Sequence, residues 1–186
     1  MVYASHAYMP FGLPGIATIS YEIIDQLGTE PGAVVAPAGH GGLLYGIMRG
    51  FEALVTSGII RKQPFYFGVQ SSACDPLCKA FDNNLTSIQD GIAGETIAEG
   101  VKVVSPSRGE AILIRLRYGN GSMVSIEEQE LIAAYKDLAI NGVYCEPTSA
   151  LVWAAVKKID LSKYSSTVAV ITGSGYKSIH FHNGIV

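Results

Sequence analysis

Two short glycine-rich segments hold the residues of this sequence best suited to binding chemistry. Residues 39–42 read Gly-His-Gly-Gly, and residues 173–175 read Gly-Ser-Gly. Each follows an unbroken apolar run, at 32–37 and 167–172, which is typical of a strand buried on both faces. Glycine turns at strand ends let backbone N–H groups close on an anion, and a following helix adds its positive end. The first segment is therefore either a phosphate-binding turn or a tight connection without a ligand.

Two nucleotide-binding signatures do not fit this turn. The dinucleotide pattern G-x-G-x-x-G requires glycine where Leu44 stands, and no acidic residue marks a clear strand end about twenty residues further on. The Walker pattern could begin at Gly41 and reach Gly46, but Ile47 and Met48 replace its Lys-Ser/Thr. A phosphate held at this turn must belong to a different ligand.

Two further groups of residues raise the question of a metal site. Cys74 and Cys78 lie one helical turn apart, and His180 and His182 alternate near the end of the sequence. Neither pair has the additional ligands of a structural zinc site. We therefore expect no metal site, and we interpret the histidines as part of a solvated tail.

Charge and cysteine usage exclude several classes of protein. The 186 residues carry a net charge of −3 without a run of Lys or Arg, which argues against a nucleic-acid partner. The three cysteines are an odd number in a chain that needs no disulfide staples, which favours a reducing compartment. The opening residues lack the charged and apolar regions of a signal peptide, and no apolar run is long enough to span a membrane. We expect a cytoplasmic protein without a membrane partner.

The elements that must position the two turns follow from the hydrophobic pattern. Helices are predicted at 18–27, 43–57, 76–81, 126–140 and 147–158, and strands at 32–37, 65–70 and 167–172. A further helix is predicted at 93–99, residues 100–109 are predicted to be a loop, and residues 112–114 fit either a helix or a strand. A capping box formed by Ser125 and Glu128 is predicted to start the helix at 126.

Alternating strands and helices predict an α/β fold with a mainly parallel sheet flanked by helices. Since no linker is visible, residues 1–186 are predicted to form a single domain. In such sheets ligands bind where strands end, so both glycine turns are expected at one edge.

A series of motifs resembles the second half of threonine synthase and its relatives. The motifs, in the order in which the family has them, are GIAT at 15–18, Tyr21-Glu22, VAPAGHGGLL at 35–44, Gly46, Gly50-Phe51, GVQ at 68–70, TIAEG at 96–100, EPTSA at 146–150 and ITGSGYK at 171–177. These enzymes have the tryptophan-synthase-β-like fold, also called fold type II, and use pyridoxal phosphate. The resemblance covers nearly the whole chain and implies the C-terminal half of that fold.

The resemblance also implies site residues. The family's phosphate loop, which binds through backbone amides, corresponds to Gly39, His40, Gly41, Gly42 and Leu43. Thr172 corresponds to the hydroxyl residue that hydrogen-bonds the pyridine nitrogen. A neutral hydroxyl does not enforce a protonated ring, and the family uses that chemistry for elimination or replacement at the β and γ positions of amino acids.

The lysine that forms the Schiff base with the cofactor has no counterpart in this chain. In the family it lies in the first quarter of a protein about twice as long, whereas every lysine here falls in segments that match other parts of the family. These are Lys62, Lys79, Lys102, Lys136, Lys157, Lys158, Lys163 and Lys177. We therefore expect no catalytic residue in this chain, and the reactive amine to come from elsewhere.

The substrate-binding segment of threonine synthases is also altered. Aligned on Pro10, the family's asparagine, serine, arginine and lysine correspond here to His6, Ala7, Gly12 and Ala17. Glycine cannot replace an arginine that binds a phosphate through two N–H groups. We therefore expect a substrate other than O-phosphohomoserine.

These observations lead to one principal hypothesis and two alternatives. The principal hypothesis is part of a threonine synthase- or dehydratase-type lyase that, when complete, acts on a small substituted amino acid. The alternatives are a non-catalytic cofactor-binding or oligomerisation module and an inactive truncated gene product. A sheet without its N-terminal neighbours exposes an edge and apolar surface, so we expect a homo-oligomer or a partner chain that supplies the missing half.

Overall fold

The described strands form one parallel sheet, with helices against both faces. The computed structural model describes residues 5, 7–9, 11–89 and 92–178. The helices are α1 (Gly12–Leu27), α2 (Gly42–Thr56), α3 (Pro76–Asp82), α4 (Gly109–Gly119), α5 (Glu128–Ile140) and α6 (Pro147–Lys158), and the strands are β1 (Ala33–Pro37), β2 (Phe65–Ser71), β3 (Gly121–Ile126) and β4 (Thr167–Ala169). The sheet order is β3-β2-β1-β4, and every pair is parallel. The α/β class expected from the sequence is confirmed.

The central strand β1 separates two hydrophobic clusters, since successive side chains of a strand point to opposite faces. Val34 and Ala36 belong to the cluster that α2 and α4 complete, whereas Ala33 and Val35 belong to the cluster of α5 and α6. All five residues of β1 are buried. This double burial explains why the strand reads as an unbroken apolar run.

Helices α1 and α2 approach each other at two glycines of α2. A Cβ atom at Gly46 would lie 2.5 Å from Cγ2 of Ile16, and one at Gly50 would collide with the carbonyl oxygen of Ala17. The Oγ of the buried Ser20 donates a hydrogen bond of 2.8 Å to the carbonyl of Ile47. The small residues therefore fix α1 directly over the helix that leaves the first glycine turn.

Two local sequence predictions are wrong. Residues 93–98 are not helical, and only a short 3-10 helix follows at Glu99–Val101. The N–H groups of the non-helical segment bond to other parts of the chain: Gly94 donates to the carbonyl of Ala73 at 2.7 Å and Ile97 to Oε1 of Glu128 at 2.8 Å. The capping box of α5 is formed by Glu127 and Glu130, two residues later than predicted.

Strand β3 was not predicted, and it accounts for the displaced capping box. Ser125 belongs to this strand, and its Oγ donates to Oδ2 of Asp75 at 2.8 Å instead of capping the helix. Two other boundaries also differ from the prediction: α1 begins at Gly12, and β4 ends at Ala169. Residues 112–114, which fitted either a helix or a strand, lie within α4.

Candidate functional site

The first glycine turn is held in place by the strand next to it. The N–H of Ala38 donates to the carbonyl of Val69 at 2.8 Å, and the buried amide of Gln70 donates to the carbonyl of Ala38 at 2.9 Å. Oε1 of Gln70 accepts bonds from the N–H groups of Leu77 and Cys78, at 2.9 and 3.2 Å. One buried side chain thus connects the turn to the start of α3, a role that the sequence analysis did not identify.

Two positions in this turn require glycine. Gly41, the N-cap of α2, has a φ of 88°, and a Cβ atom there would collide with Cδ1 of Ile112. A Cβ atom at Gly39 would lie 2.6 Å from the carbonyl oxygen of Gly100. At Gly42, by contrast, the nearest atom to such a Cβ, an Arg108 nitrogen, is 3.8 Å away. The turn is closed on its protein side and has room beside the first residue of α2.

The start of α2 has the properties of an anion site. The first N–H groups of any α-helix have no partner within the helix. No side chain caps α2, and its first turn contains no acidic residue. The helix dipole places partial positive charge at the same point. Backbone N–H groups at Gly42 and Leu43 are therefore suited to bind a phosphate group.

The second turn is held by Ser149, near the start of α6. Its Oγ accepts hydrogen bonds from the N–H groups of Thr172, at 3.3 Å, and of Gly173, at 3.0 Å. A Cβ atom at Gly173 would collide with the side chain of Glu146, whose own N–H donates to the Gly173 carbonyl at 3.0 Å. These contacts fix the position of Thr172, which is exposed.

The first turn and Thr172, the residue just before the second turn, line the same cavity, because β1 and β4 are parallel neighbours and their carboxyl ends lie side by side. The cavity has a volume of about 270 Å³. Every site residue named from the sequence lines it: Gly39, His40, Gly41, Gly42, Leu43 and Thr172. The geometric expectation that the two turns meet at one edge of the sheet is therefore met.

A third segment, which begins the predicted loop at 100–109 and belongs to the 3-10 helix Glu99–Val101, completes the cavity wall. Gly100 and Val101 line it together with Glu146 and Thr148. Oγ1 of Thr148 accepts a hydrogen bond of 3.1 Å from the N–H of Gly100. The contact between Gly100 and Thr148 could not be predicted from the sequence, because the two residues lie far apart along the chain.

No lysine is found among the described residues that line this cavity. Lys177 lines a neighbouring cavity of about 350 Å³, which shares Gly100, Glu146 and Thr148 with the first. Among the described lysines it is therefore the one to test as a source of an amine.

The cysteines do not provide a reactive or metal-binding group. All three are buried and free of disulfides. Burial, reinforced by the charge of Asp75, raises the pKa of the Cys78 thiol, and burial also raises the pKa of Cys74. Burial and the neighbouring Glu146 raise the pKa of Cys145. Such thiols stay protonated at neutral pH and are poor nucleophiles.

The metal and substrate predictions concern residues both inside and outside the part of the chain that the structure describes. Within the described residues, no three His, Cys, Asp or Glu side chains lie close enough together to hold a metal ion. His180 and His182 lie outside the described residues, as do His6 and Pro10 of the altered substrate segment. No described helix has the length and apolar character needed to cross a membrane.

Comparison with known proteins identifies the family. The family model described as "Pyridoxal-phosphate dependent enzyme" matches residues 1–173. The chain belongs to this family. The cofactor that the resemblance implied, pyridoxal phosphate, is thus the cofactor of the family, and the findings do not favour the alternatives of a non-catalytic module or an inactive product.

Individual relatives give the same result. The threonine synthase of Methanocaldococcus jannaschii is 30% identical over 183 residues, which cover 95% of this chain and 45% of that protein. The solved structure of a T.th. threonine deaminase is 28% identical, has a TM-score of 0.71 and is matched over 90% of this chain and 59% of its own. A fungal L-serine ammonia-lyase from Rhizomucor miehei, 17% identical with a TM-score of 0.73, shares the fold. The chain spans less than half the length of the curated relative.

The residues present fit the phosphate end of the family's cofactor. The turn has no side chain between its backbone and the cavity at Gly41 and Gly42, and it ends at an uncapped helix start. The exposed hydroxyl residue Thr172 lies on the same cavity, and its place is fixed through Ser149. Donors for a phosphate and a neutral polar partner for a ring are thus both present.

Proposed function

We propose that this chain binds pyridoxal phosphate and forms part of an enzyme that acts on a substituted amino acid. The observation that carries the proposal is that the uncapped start of α2 and Thr172, which follow different strands, line one cavity. Membership in the pyridoxal-phosphate-dependent family supports it independently.

In this proposal each turn holds a different end of the cofactor. Residues 39–43 hold the phosphate through backbone N–H groups, which the α2 dipole assists. The Thr172 hydroxyl bonds the pyridine nitrogen, and Ser149 fixes its backbone. When bound, pyridoxal phosphate supplies an electron sink for reactions of amino acids. A neutral partner at the ring nitrogen leaves that sink moderate, which suits elimination and replacement.

Titration of the purified chain with pyridoxal phosphate tests the proposal. We expect saturable binding, followed by absorbance and equilibrium dialysis, with the spectrum of the free aldehyde. Borohydride treatment should then trap no lysine adduct. Absence of saturable binding would overturn the proposed function.

A lysine variant tests whether the reactive amine comes from this chain or from another chain. If borohydride does trap an adduct, Lys177→Ala should abolish it only if Lys177 is the reactive amine. Lys163→Ala is the control, because Lys163 lies beside the ring of Tyr164 and outside the cavity. An adduct at any lysine would contradict the expectation that the chain lacks the reactive amine.

The reaction class is proposed to be that of a lyase, with elimination or replacement at the β or γ carbon of a hydroxy-, phospho- or thio-substituted amino acid. The names of the relatives, threonine synthase and threonine deaminase, support an amino-acid substrate. A complete assembly that carries out elimination should release a keto acid together with ammonia, and one that carries out replacement should release the displaced substituent and a new amino acid. The chain alone should release none of these products.

We also propose that the chain functions as a homo-oligomer, or with a partner chain that supplies the lysine, in the cytoplasm. Strand β4 supports the first point, since it pairs on one side with β1 and its three residues are only half-buried. The three free thiols agree with a reducing compartment. Light scattering should give a mass above 19.7 kDa. A monomer in dilute buffer would contradict the oligomer.

A further inference from the structure

Arg108, the N-cap residue of α4, lies along the first glycine turn. Its Cβ is 3.4 Å from the position that a Cβ atom on Gly41 would take, and its Nη1 is 3.8 Å from the corresponding position on Gly42. Its backbone N–H donates to the carbonyl of His40 at 3.2 Å. The side chain thus runs from the middle of the turn to the first residue of α2.

The guanidinium group of Arg108 keeps both charge and donors available. Its Nη1 donates to the carbonyl of Ala7, and its Nη2 to the carbonyl of Met9 at 3.3 Å. A guanidinium has five N–H donors, so these two bonds leave others for a ligand. None of the ion pairs between described residues includes Arg108. Backbone carbonyls do not neutralise its charge, so the positive end of α2 has a full cation next to it.

We propose that Arg108, which lies beside Gly42 but does not itself line the cavity, is a phosphate-binding residue that adds a charged donor to the backbone N–H groups at the start of α2. The inference rests on the proposed function, because the phosphate in question is that of the cofactor. Guanidinium groups suit this task, since their planar donors match phosphate oxygens and stay charged at every physiological pH. The same side chain holds the 7–9 segment, so a bound phosphate would be coupled to that segment.

Comparing pyridoxal phosphate with pyridoxal, which lacks the phosphate, tests this role. Arg108→Gln should weaken binding of pyridoxal phosphate about tenfold or more, as expected for the loss of a charged hydrogen bond. Its affinity for pyridoxal should stay as in the unmodified chain. Arg108→Lys should retain part of the preference, because it keeps the charge without the planar donors. Added salt should reduce the preference for the phosphorylated ligand more in the unmodified chain than in Arg108→Gln.

Ser107→Ala provides a matched control for a purely structural role. The Oγ of Ser107 donates to the same Ala7 carbonyl, at 3.1 Å, but carries no charge. This variant should bind both ligands as the unmodified chain does. If Arg108→Gln weakens both ligands equally, or only lowers the melting temperature, Arg108 is a clamp for the 7–9 segment and the inference is wrong.

Inorganic phosphate separates failure of this inference from failure of the proposed function. If the unmodified chain does not bind pyridoxal phosphate, the proposed function is overturned, but phosphate can still be titrated against the backbone N–H signals of residues 41–43 in NMR spectra. Shifts that occur in the unmodified chain and are lost in Arg108→Gln would support a phosphate site at Arg108. Identical shifts in both, or none in either, would overturn it.

Discussion

At the scale of single residues, the candidate site depends on glycines, which have no side chain, as much as on residues with functional groups. Gly41 combines a left-handed backbone with a position where any Cβ atom would collide with Ile112. Left-handed backbone costs about 1–3 kcal/mol for a residue other than glycine. The shape of the first glycine turn is therefore determined by a residue type that has no functional group.

Gly41→Ala should lower the free energy of unfolding by about 1–3 kcal/mol from backbone strain, and more from the collision with Ile112. It should also abolish binding of pyridoxal phosphate, because the N–H groups at the start of α2 are displaced. Gly58→Ala is the control, since Gly58 has a φ of 74° but open space around its Cβ position. Urea unfolding and ligand titration of both variants provide the comparison; equal losses of stability would contradict the collision.

Gln70→Leu should destabilise the protein by about 3 kcal/mol or more, because three buried backbone groups lose their hydrogen-bond partner. The exposed Gln26 of α1 offers the control, and Gln26→Leu should change stability little. Chemical denaturation measures both effects. An effect of Gln70→Leu below about 1 kcal/mol would mean that the turn does not depend on this side chain.

The residues of the site could be named from sequence, but not the contacts that hold them. Glycines after an apolar run mark a turn, and the family motifs point to Thr172. The supporting side chains of Gln70, Ser149 and Thr148 could not be found, because their partners lie far away in sequence. Such contacts exist only after the elements have packed.

At the scale of elements, the close contact between α1 and α2 requires glycine in α2 but not at Gly15 of α1. A Cβ atom at Gly50 of α2 collides with α1, whereas one at Gly15 of α1 meets nothing within 4 Å. The same substitution should therefore have opposite effects in the two helices.

Gly15→Ala should stabilise the protein by about 0.5–1 kcal/mol, as alanine is the better helix former. Gly50→Ala should destabilise it by about 1–3 kcal/mol, because the helices must separate. Thermal unfolding of both variants measures the difference. A stabilising Gly50→Ala would contradict the close packing described for this helix pair.

The capping box of α5 predicts a dependence of stability on pH. Burial opposes the shift, but hydrogen bonds from Lys158 and from the N–H of Glu127, both 2.9 Å, hold the pKa of Glu130 below its usual value of 4.5. Because the folded pKa is the lower one, the stabilisation is complete above pH 4.5 and is lost as the pH falls through the folded pKa.

Glu130→Gln should therefore be less stable than the unmodified chain at pH 7, and the difference should shrink as the pH falls through the folded pKa of Glu130. Urea midpoints at several pH values provide the measurement, with the exposed Glu22→Gln of α1 as the control. A stability difference that is constant with pH would show that ionised Glu130 does not contribute.

Strands that are buried on both faces could be predicted from the sequence. The partly exposed edge strand and the irregular segment after α3 could not. Strands β1 and β2 read as apolar runs because both faces are covered. Strand β3 lies at the sheet edge, contains Gly121, Ser122 and Ser125, and has only two buried residues, so its sequence resembles a loop. Residues 93–98 were predicted to be helical, but hydrogen bonds to distant parts of the chain hold them in an irregular conformation.

At the scale of the whole molecule, one sheet joins both hydrophobic clusters. Alternate residues of β1 belong to opposite clusters, so loss of either cluster uncovers the same strand. We therefore propose that residues 1–186 are one domain that unfolds cooperatively.

Urea unfolding followed by fluorescence of Trp153 and by far-ultraviolet circular dichroism should give coincident transitions. Trp153 reports on the α5–α6 face, where its indole N–H donates to Asp137 at 2.6 Å, and circular dichroism reports on all elements. A tryptophan transition at clearly lower urea would contradict a single cooperative unit.

The pairing of β1 with β4 also constrains the order in which the protein can mature during synthesis. Ala33 can pair with Phe65 first, whereas its other neighbour, Thr167, is synthesised about 100 residues after Phe65. Until then one flank of the central strand stays open to chaperones or to mispairing. Thr172 reaches the first glycine turn only when β4 docks on β1, so a nascent chain gains this cavity only after that pairing has formed.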